Sequence, residues 1–383
     1  MADAAYYKTV TNKSTFKKHF KAEQRVPFIK LDHVAAHKWG RPELFGLAVK
    51  PKVVQHLPVL SEFTPPSNEP TPKEIEKFIN GPGSDYMSRS EHSLVRDPII
   101  GESLGRAWAA LASFTAPRNE LRSDEEDDAE TGSRSKRTRI QTTQEDYVDS
   151  SMMRVDSSSS NSDESKGTPS SVGYVDKSSS SARARKENET LRLFSCVTRH
   201  VLHYAFPQEN DFVDPVVEFR DYASWHVAST PNGGRRVAAM DDRGLVLREF
   251  DEGRLLQKND YVMLVEAKSE FQRIVDGKPI LTDECLGQMT CEAMAARLKD
   301  FSEEKSKFKD GSVIIAHPTQ QYVCFLQFDV TDSYLEVFEE NFDLMPPAFL
   351  RVYITRYLDL STMAGRKAFV ATMSSLMIWA REN

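Results

Sequence analysis

Residues 261–268 read YVMLVEAK, five apolar residues from Tyr261 to Val265 that stop abruptly at Glu266 and Lys268. A run apolar on both faces predicts a strand buried in the middle of a sheet, not one with a wet side. Side chains alternate along a strand, so Glu266 and Lys268 project together where burial ends. Upstream, after a Gly-Gly turn at 233–234, RRVAAMDDRGLVLREF (235–250) reads as extended, and the polar stretch DEGRLLQKND (251–260) joins it to the buried strand. Paired as a hairpin, the two segments bring Asp242, with Asp241 beside it, almost opposite Glu266 and Lys268.

That juxtaposition carries chemistry. Two converging carboxylates, Asp242 and Glu266, can hold a hard cation such as Mg²⁺ through oxygen ligands. Such a cation polarises a phosphodiester oxygen and acidifies bound water. An ammonium such as Lys268 can orient that water and stabilise charge building on phosphate. An E-x-K triplet alone is common, and charges ending a strand are usually solvated. What singles this one out is the apolar run before it, the aspartate at the matching end of the partner strand, and polar residues on the flanking helical segments.

Those segments extend the pattern on both sides. ENETLRLFSCVTRHVLHYAF (187–206) predicts a helix with Leu191, Phe194, Val197, Val201 and Leu202 on one face, and its start offers Glu187 and Glu189. VVEFRDYASWHVAS (216–229) reads as a strand pair or one strand with irregular flanks. LTDECLGQMTCEAMAARLKDF (281–301) predicts a helix capped by Asp283, with Leu286, Met289, Ala293, Met294 and Leu298 inward and Gln288 among them. SVIIAHPT and QQYVCFLQFDV (312–330) predict a hairpin, and RVYITRYLDL (351–360) a further strand. STMAGRKAFVATMSSLMIWARE (361–382) predicts a closing helix capped by Ser361 or Thr362. The class is α/β, a mixed sheet flanked by helices.

Composition divides the 383 residues into three parts. Residues 1–115 are mixed, with a Pro-rich passage, TPPSNEPTP, and a short amphipathic helix over 103–114; they suggest a helical lobe. Residues 116–183 carry DEEDD, RSKRTR and DSSSSNSDESKGTPSS with almost no large apolar residues, which predicts a disordered linker open to phosphorylation. RSKRTR also suits a nuclear-localisation signal. Residues 184–383 form the α/β domain. Net charge is −7, apolar residues make up 39% and charged residues 28%. No global basic field therefore draws the chain to nucleic acid, and contact with a polyanion must come from local basic groups or a metal. Cys196, Cys285, Cys291 and Cys324 contain no CxxC pair, which argues against a zinc site or a disulfide framework and for reduced thiols. No signal-peptide core and no spanning apolar run is present, so the expected location is intracellular, nucleus or cytoplasm, with no membrane partner.

With Asp242 followed by Glu266-Ala267-Lys268 in this element order, the chain resembles the PD-(D/E)XK nuclease superfamily. More narrowly, DDRGLVLREF, YVMLVEAKSEFQ, LGQMTCEAMAARL and SVIIAHPTQQYVCFLQFDV are similar to the PD-(D/E)XK nuclease-like proteins of filamentous fungi, over about 187–383. The resemblance implies a restriction-endonuclease-like core and Mg²⁺- or Mn²⁺-dependent hydrolysis of phosphodiester bonds in DNA, with RNA the less favoured substrate. It implies Asp242, or its neighbour Asp241, and Glu266 as metal ligands, Lys268 as the catalytic lysine, Glu189 or Glu187 as the acid of the first helix, and Gln288 as an organising amide. Met240 stands where the superfamily often has proline before the first acid. The alternative is a catalytically silent nuclease-like module that binds nucleic acid or protein. Glu189 also suits a plain helix-terminal acid. His200, His203 and His317 read as core or loop residues.

Overall fold

The computed structural model describes residues 4–66, 70–116, 177–210, 212–232, 234–271, 274–275, 278–302 and 311–382. The N-terminal part forms helices α1 (Tyr6–Thr9), α2 (Lys13–Ala22) and α3 (Arg41–Gly46), strand β1 (Val49–Val54), and helices α4 (Lys73–Asn80), α5 (Glu91–Val95) and α6 (Glu102–Thr115). Helix α7 (Lys177–Tyr204) leads into strands β2 (Val216–Arg220), β3 (Ser224–Ser229), β4 (Arg236–Asp241), β5 (Arg243–Asp251) and β6 (Arg254–Val265). A small ribbon, β7 (Ile274–Val275) and β8 (Lys278–Pro279), precedes helix α8 (Asp283–Ser302). The chain ends with β9 (Ser312–Thr319), β10 (Tyr322–Asp329), α9 (Asp332–Leu335), β11 (Leu350–Thr355), β12 (Leu358–Asp359) and α10 (Met363–Arg381).

An eight-stranded mixed sheet runs in the order β1-β11-β10-β9-β6-β5-β2, with β12 added to β10. Strand β6 is central. It is antiparallel to β5, with Arg243 opposite Val265, and parallel to β9, with Leu264 opposite Ile315. The crossover between the parallel strands β6 and β9 contains α8. The alternation of a strand explains why both faces must be covered. Along β9, Val313 and Ile315 belong to one apolar cluster, and Ile314 and Ala316 to the other. Tyr261 and Leu264 of β6 join the first cluster; Val262, Met263 and Val265 join the second. Helices α4, α6, α7 and α10 supply the second cluster, and α8 with the N-terminal segments supplies the first. Each large side chain so buried stabilises the fold by roughly 1.5–3 kcal/mol relative to exposure.

Helix α8 departs from the one-sided pattern expected of it. Beyond the predicted inward residues, Cys291, Ala295 and Ala296 are buried too. A helix with apolar residues on more than one face needs cover on its outer side. The N-terminal layer and the β3–β4 hairpin provide it: Trp39, Phe45, Ala228 and Ala239 share the α8 cluster. Arg41 ties the layer down, pairing with Glu23 at 2.9 Å and with Asp283 at 3.0 Å. Asp283 is therefore the first helical residue and an ion-pair partner. The capping oxygen is Thr282 Oγ1, which accepts from Cys285 N at 3.3 Å. The reading of residues 1–115 as a helical lobe left out β1, which pairs in parallel with β11, Val49 opposite Leu350. Met1–Ala116 and Ser178–Asn383 form one compact unit.

Other expectations are met more directly. The β9–β10 hairpin forms with Thr319 opposite Tyr322, and of the two candidate caps of α10, Ser361 and Thr362, the cap is Thr362, whose side chain accepts from Gly365 N at 3.1 Å. The segment read as one strand over 235–250 divides into β4 and β5 at Asp242. Helix α7 starts at Lys177, before the predicted Glu187. The stretch 117–176, which holds the acidic run, RSKRTR and most of the Ser-rich sequence expected to be disordered, lies outside the described residues. All four cysteines are free, and among the described residues no helix is long and apolar enough to cross a membrane.

Gly287 tests the seating of the N-terminal layer on α8. A Cβ there would lie 2.6 Å from the Trp39 carbonyl. Gly287→Leu should destabilise the protein by about 1–3 kcal/mol in urea unfolding, the usual cost of overpacking. Unchanged stability would show that the two surfaces do not meet as described.

Candidate functional site

The site forms where β6 leaves the core. The backbone beyond Val265 stays pinned to β9: Glu266 N donates to Ala316 O and Lys268 N to Pro318 O, each at 3.0 Å. Glu266 is therefore buried, 3% exposed, although it lies past the last strand residue. On the neighbouring strand a bend at Asp242 separates β4 from β5. Asp242 N donates to Val265 O at 3.0 Å, and its Oδ2 accepts from Ala267 N at 2.8 Å. The carboxylate predicted to face the Glu266–Lys268 end does so.

The adjacent aspartates separate because successive residues point to opposite sides. Asp241 turns into the protein and is fully buried. Its oxygens accept from Arg220 at 2.7 Å and from Ser224 N at 3.0 Å, and meet His226 Nε2 at 2.9 Å. Asp241 thus ties β2, β3 and β4 together, and the choice of acid falls to Asp242. The helix acid resolves likewise. Glu187 lines the same cleft as Lys268 and Gln288, whereas half-buried Glu189 does not. Two residues on a helix lie about 200° apart, so both cannot face one cleft. Thr190, one turn from Glu187, anchors α7 to the strand end: its Oγ1 donates to Lys268 O at 3.3 Å and accepts from Gln320 N at 3.2 Å.

The polar centre is compact. Lys268 Nζ and Gln288 Nε2 each donate to Glu266 Oε1 at 2.5 Å. Gln288 Nε2 also reaches Glu292 Oε1 at 3.2 Å. Beneath them His317 Nδ1 lies 2.8 Å from the Glu266 carbonyl. Burial lowers the His317 pKa to about 4, so the ring is neutral and donates to that carbonyl. His200 is also a structural residue, held by Ser103 at 3.0 Å and the Glu74 carbonyl at 3.1 Å.

Burial dominates the electrostatics. It raises the Asp242 and Glu187 carboxyls above their ordinary values, against the pull of Lys268. Glu266 is pushed up to about 7, by burial first and then by the charge of Asp242. Burial also works against the Lys268 ammonium, but Glu266 overrides it and holds the amine above its usual value. Burial also raises the fully buried Glu292 carboxyl well above its ordinary value, and the charge of neighbouring Glu266 adds to the effect. Glu292 was not expected. Its one sequence signal is its spacing, four residues after Gln288 on a helix otherwise rich in apolar residues.

A cleft of about 640 Å³ reaches this centre at Lys268 and Gln288 and is lined also by Glu187, Glu270, Phe271 and Glu284; Asp242 and Glu266 are not among its lining residues. Phe271 packs edge-on against Tyr322 and Tyr357, at 5.2 and 5.3 Å. A second cleft, about 520 Å³, lies near the end of α7 and is lined by Arg199, His203, Glu218 and Phe250, away from these carboxylates. Among the described residues, no group of three or more His, Cys, Asp or Glu side chains is placed to hold a metal ion together. Asp242 and Glu266 offer two hard oxygen donors. That suits Mg²⁺, which commonly takes one or two carboxylates and completes its shell with water and substrate phosphate. Compared with protein-family models, curated proteins and solved structures, the chain matches none.

The burial of Glu266 has a pH signature. The folded state binds its proton more tightly than the unfolded chain. That contribution to stability is complete below about pH 4.5, the ordinary carboxyl value, and is lost as pH rises to about 7. Relative to Glu266→Gln, the cation-free wild type should lose on the order of 1–3 kcal/mol across this window, read by urea unfolding. A stability difference that stays constant with pH would remove Glu266 from this environment.

Proposed function

We propose that the chain is a divalent-metal-dependent phosphodiesterase acting on nucleic acid, DNA ahead of RNA. The observation that carries this reading is the convergence of Asp242, Glu266 and Lys268 at one sheet end, with Gln288 from α8 and Glu187 from α7 beside them. The element order supports it: helix α7, the antiparallel strands β2, β5 and β6, the crossover helix α8, and β9 parallel to β6. With the separate β3–β4 hairpin set aside, this helix, strands, helix, strand order is the kind on which the resemblance to the superfamily rests.

Asp242 and Glu266 are the residues that would hold Mg²⁺ or Mn²⁺. A bound cation of this kind supplies Lewis-acid polarisation of a phosphodiester oxygen and acidifies its water. The protein's own groups do the rest. Lys268 places a positive charge at the cleft, where it can stabilise a phosphate gaining negative charge. Gln288 fixes the orientation of Glu266. Glu187 and the Phe271 wall bound the space for substrate. The acidic lining, with Glu270 and Glu284, favours a second reading, a silent module that binds a protein partner, because it repels a polyanion unless cations intervene.

The deciding experiment incubates purified full-length protein with Mg²⁺ or Mn²⁺ and labelled DNA or RNA. Wild type should cut, and Glu266→Ala and Lys268→Ala should each lose on the order of 10²-fold or more in rate. If wild type cuts neither substrate, or the variants cut as well as wild type, the enzyme reading falls.

A further inference from the structure

Helix α8 buries several polar side chains. Thr290 Oγ1 donates to Leu286 O at 2.7 Å, and Arg297 pairs with Asp300 at 3.0 Å and with Asp332. Glu292 differs from these. It is fully buried and forms no ion pair among the described residues; its Oε1 meets Gln288 Nε2 at 3.2 Å, and its carboxyl group shares a side-chain hydrogen bond with Glu266. An acid in that position is costly to bury and adds nothing to packing that a leucine would not.

The Gln288 amide explains what Glu292 contributes. An amide has two donors at its nitrogen end and only acceptors at its oxygen end. Rotated by half a turn, Gln288 would present its oxygen to the Glu266 carboxylate and repel it. With Glu266 Oε1 at 2.5 Å and Glu292 Oε1 at 3.2 Å, the two N–H groups each have an acceptor, and only one orientation satisfies both. Residues four apart on a helix lie on one face, so the two side chains reach the end of β6 together.

We propose that Glu292 is a positioning residue: it sets the orientation of the Gln288 amide, which in turn holds Glu266 as a cation ligand. The inference rests on the reading of Glu266 as that ligand. Glu292 acts on Glu266 through the Gln288 amide and through its own side-chain hydrogen bond to the Glu266 carboxyl group.

The test is Mn²⁺ binding by the full-length chain, measured by calorimetry, with thermal unfolding of each variant as a control. Glu292→Leu should weaken Mn²⁺ binding by about tenfold, a modest part of the effect typical of groups supporting metal ligands. Glu292→Gln keeps an oxygen for the Gln288 amide and should stay within about threefold of wild type. The double variant Gln288→Leu with Glu292→Leu should lose less than the combined losses of the two single variants, because part of the Glu292 effect passes through Gln288. Should the leucine variant fail to fold, Glu292→Met carries the same comparison. Wild-type affinity in Glu292→Leu, failure of Glu292→Gln to rescue, or additive losses in the double variant would overturn the inference. If Glu266→Ala abolishes binding while Glu292→Leu leaves it intact, the inference fails and the proposed function stands. If wild type binds no Mn²⁺, both fall.

Discussion

A strand apolar on both faces must be covered on both faces, and most of this structure follows from meeting that requirement for β6. One side is closed by α4, α6, α7 and α10. The other is closed by α8, but α8 is itself buried nearly all round, so it has a further cover. The N-terminal helices and the β3–β4 hairpin supply it. Residues 6–49 thus cover α8, residues 57–94 join the opposite cluster, and β1 extends the sheet at the far edge.

The same strand creates the chemistry by ending abruptly. Past Val265 the backbone remains bonded to β9, so Glu266 and Lys268 emerge into a largely buried setting with a cleft on one side. Charges there cannot rely on water. They rely on each other: Lys268 and Gln288 share one oxygen of Glu266, and Asp242 is held by a backbone N–H. Burial raises every carboxyl in the group. Such carboxyls are poised to gain from a positive partner, the physical link between this packing and the proposed cation-dependent chemistry.

Much of this was legible from local pattern. The buried run 261–265 predicted a central strand, and the hairpin with β5 put Asp242 opposite Glu266, because alternation and pairing leave few other registers. The β9–β10 hairpin and the Thr362 cap of α10 were likewise read from residues close together in sequence. These features depend on interactions within one element or between neighbours in the chain.

Other features depend on which surfaces meet, and local pattern carries no record of that. Asp241 and Asp242 are equivalent as adjacent acids; only the packing of β2 and β3 brings Arg220 and His226 to one of them. Glu187 and Glu189 are both acids at a helix start; only the rotation of α7 against the sheet turns Glu187 to the cleft. Glu292 looks like an ordinary acid of a helix until the packing of α8 buries it beside Glu266 at the end of β6. The sequence by itself determined where burial must begin and end, because hydrophobic periodicity is written residue by residue. Tertiary structure decided which charged groups stand at that boundary, because it alone sets which distant segments close over them.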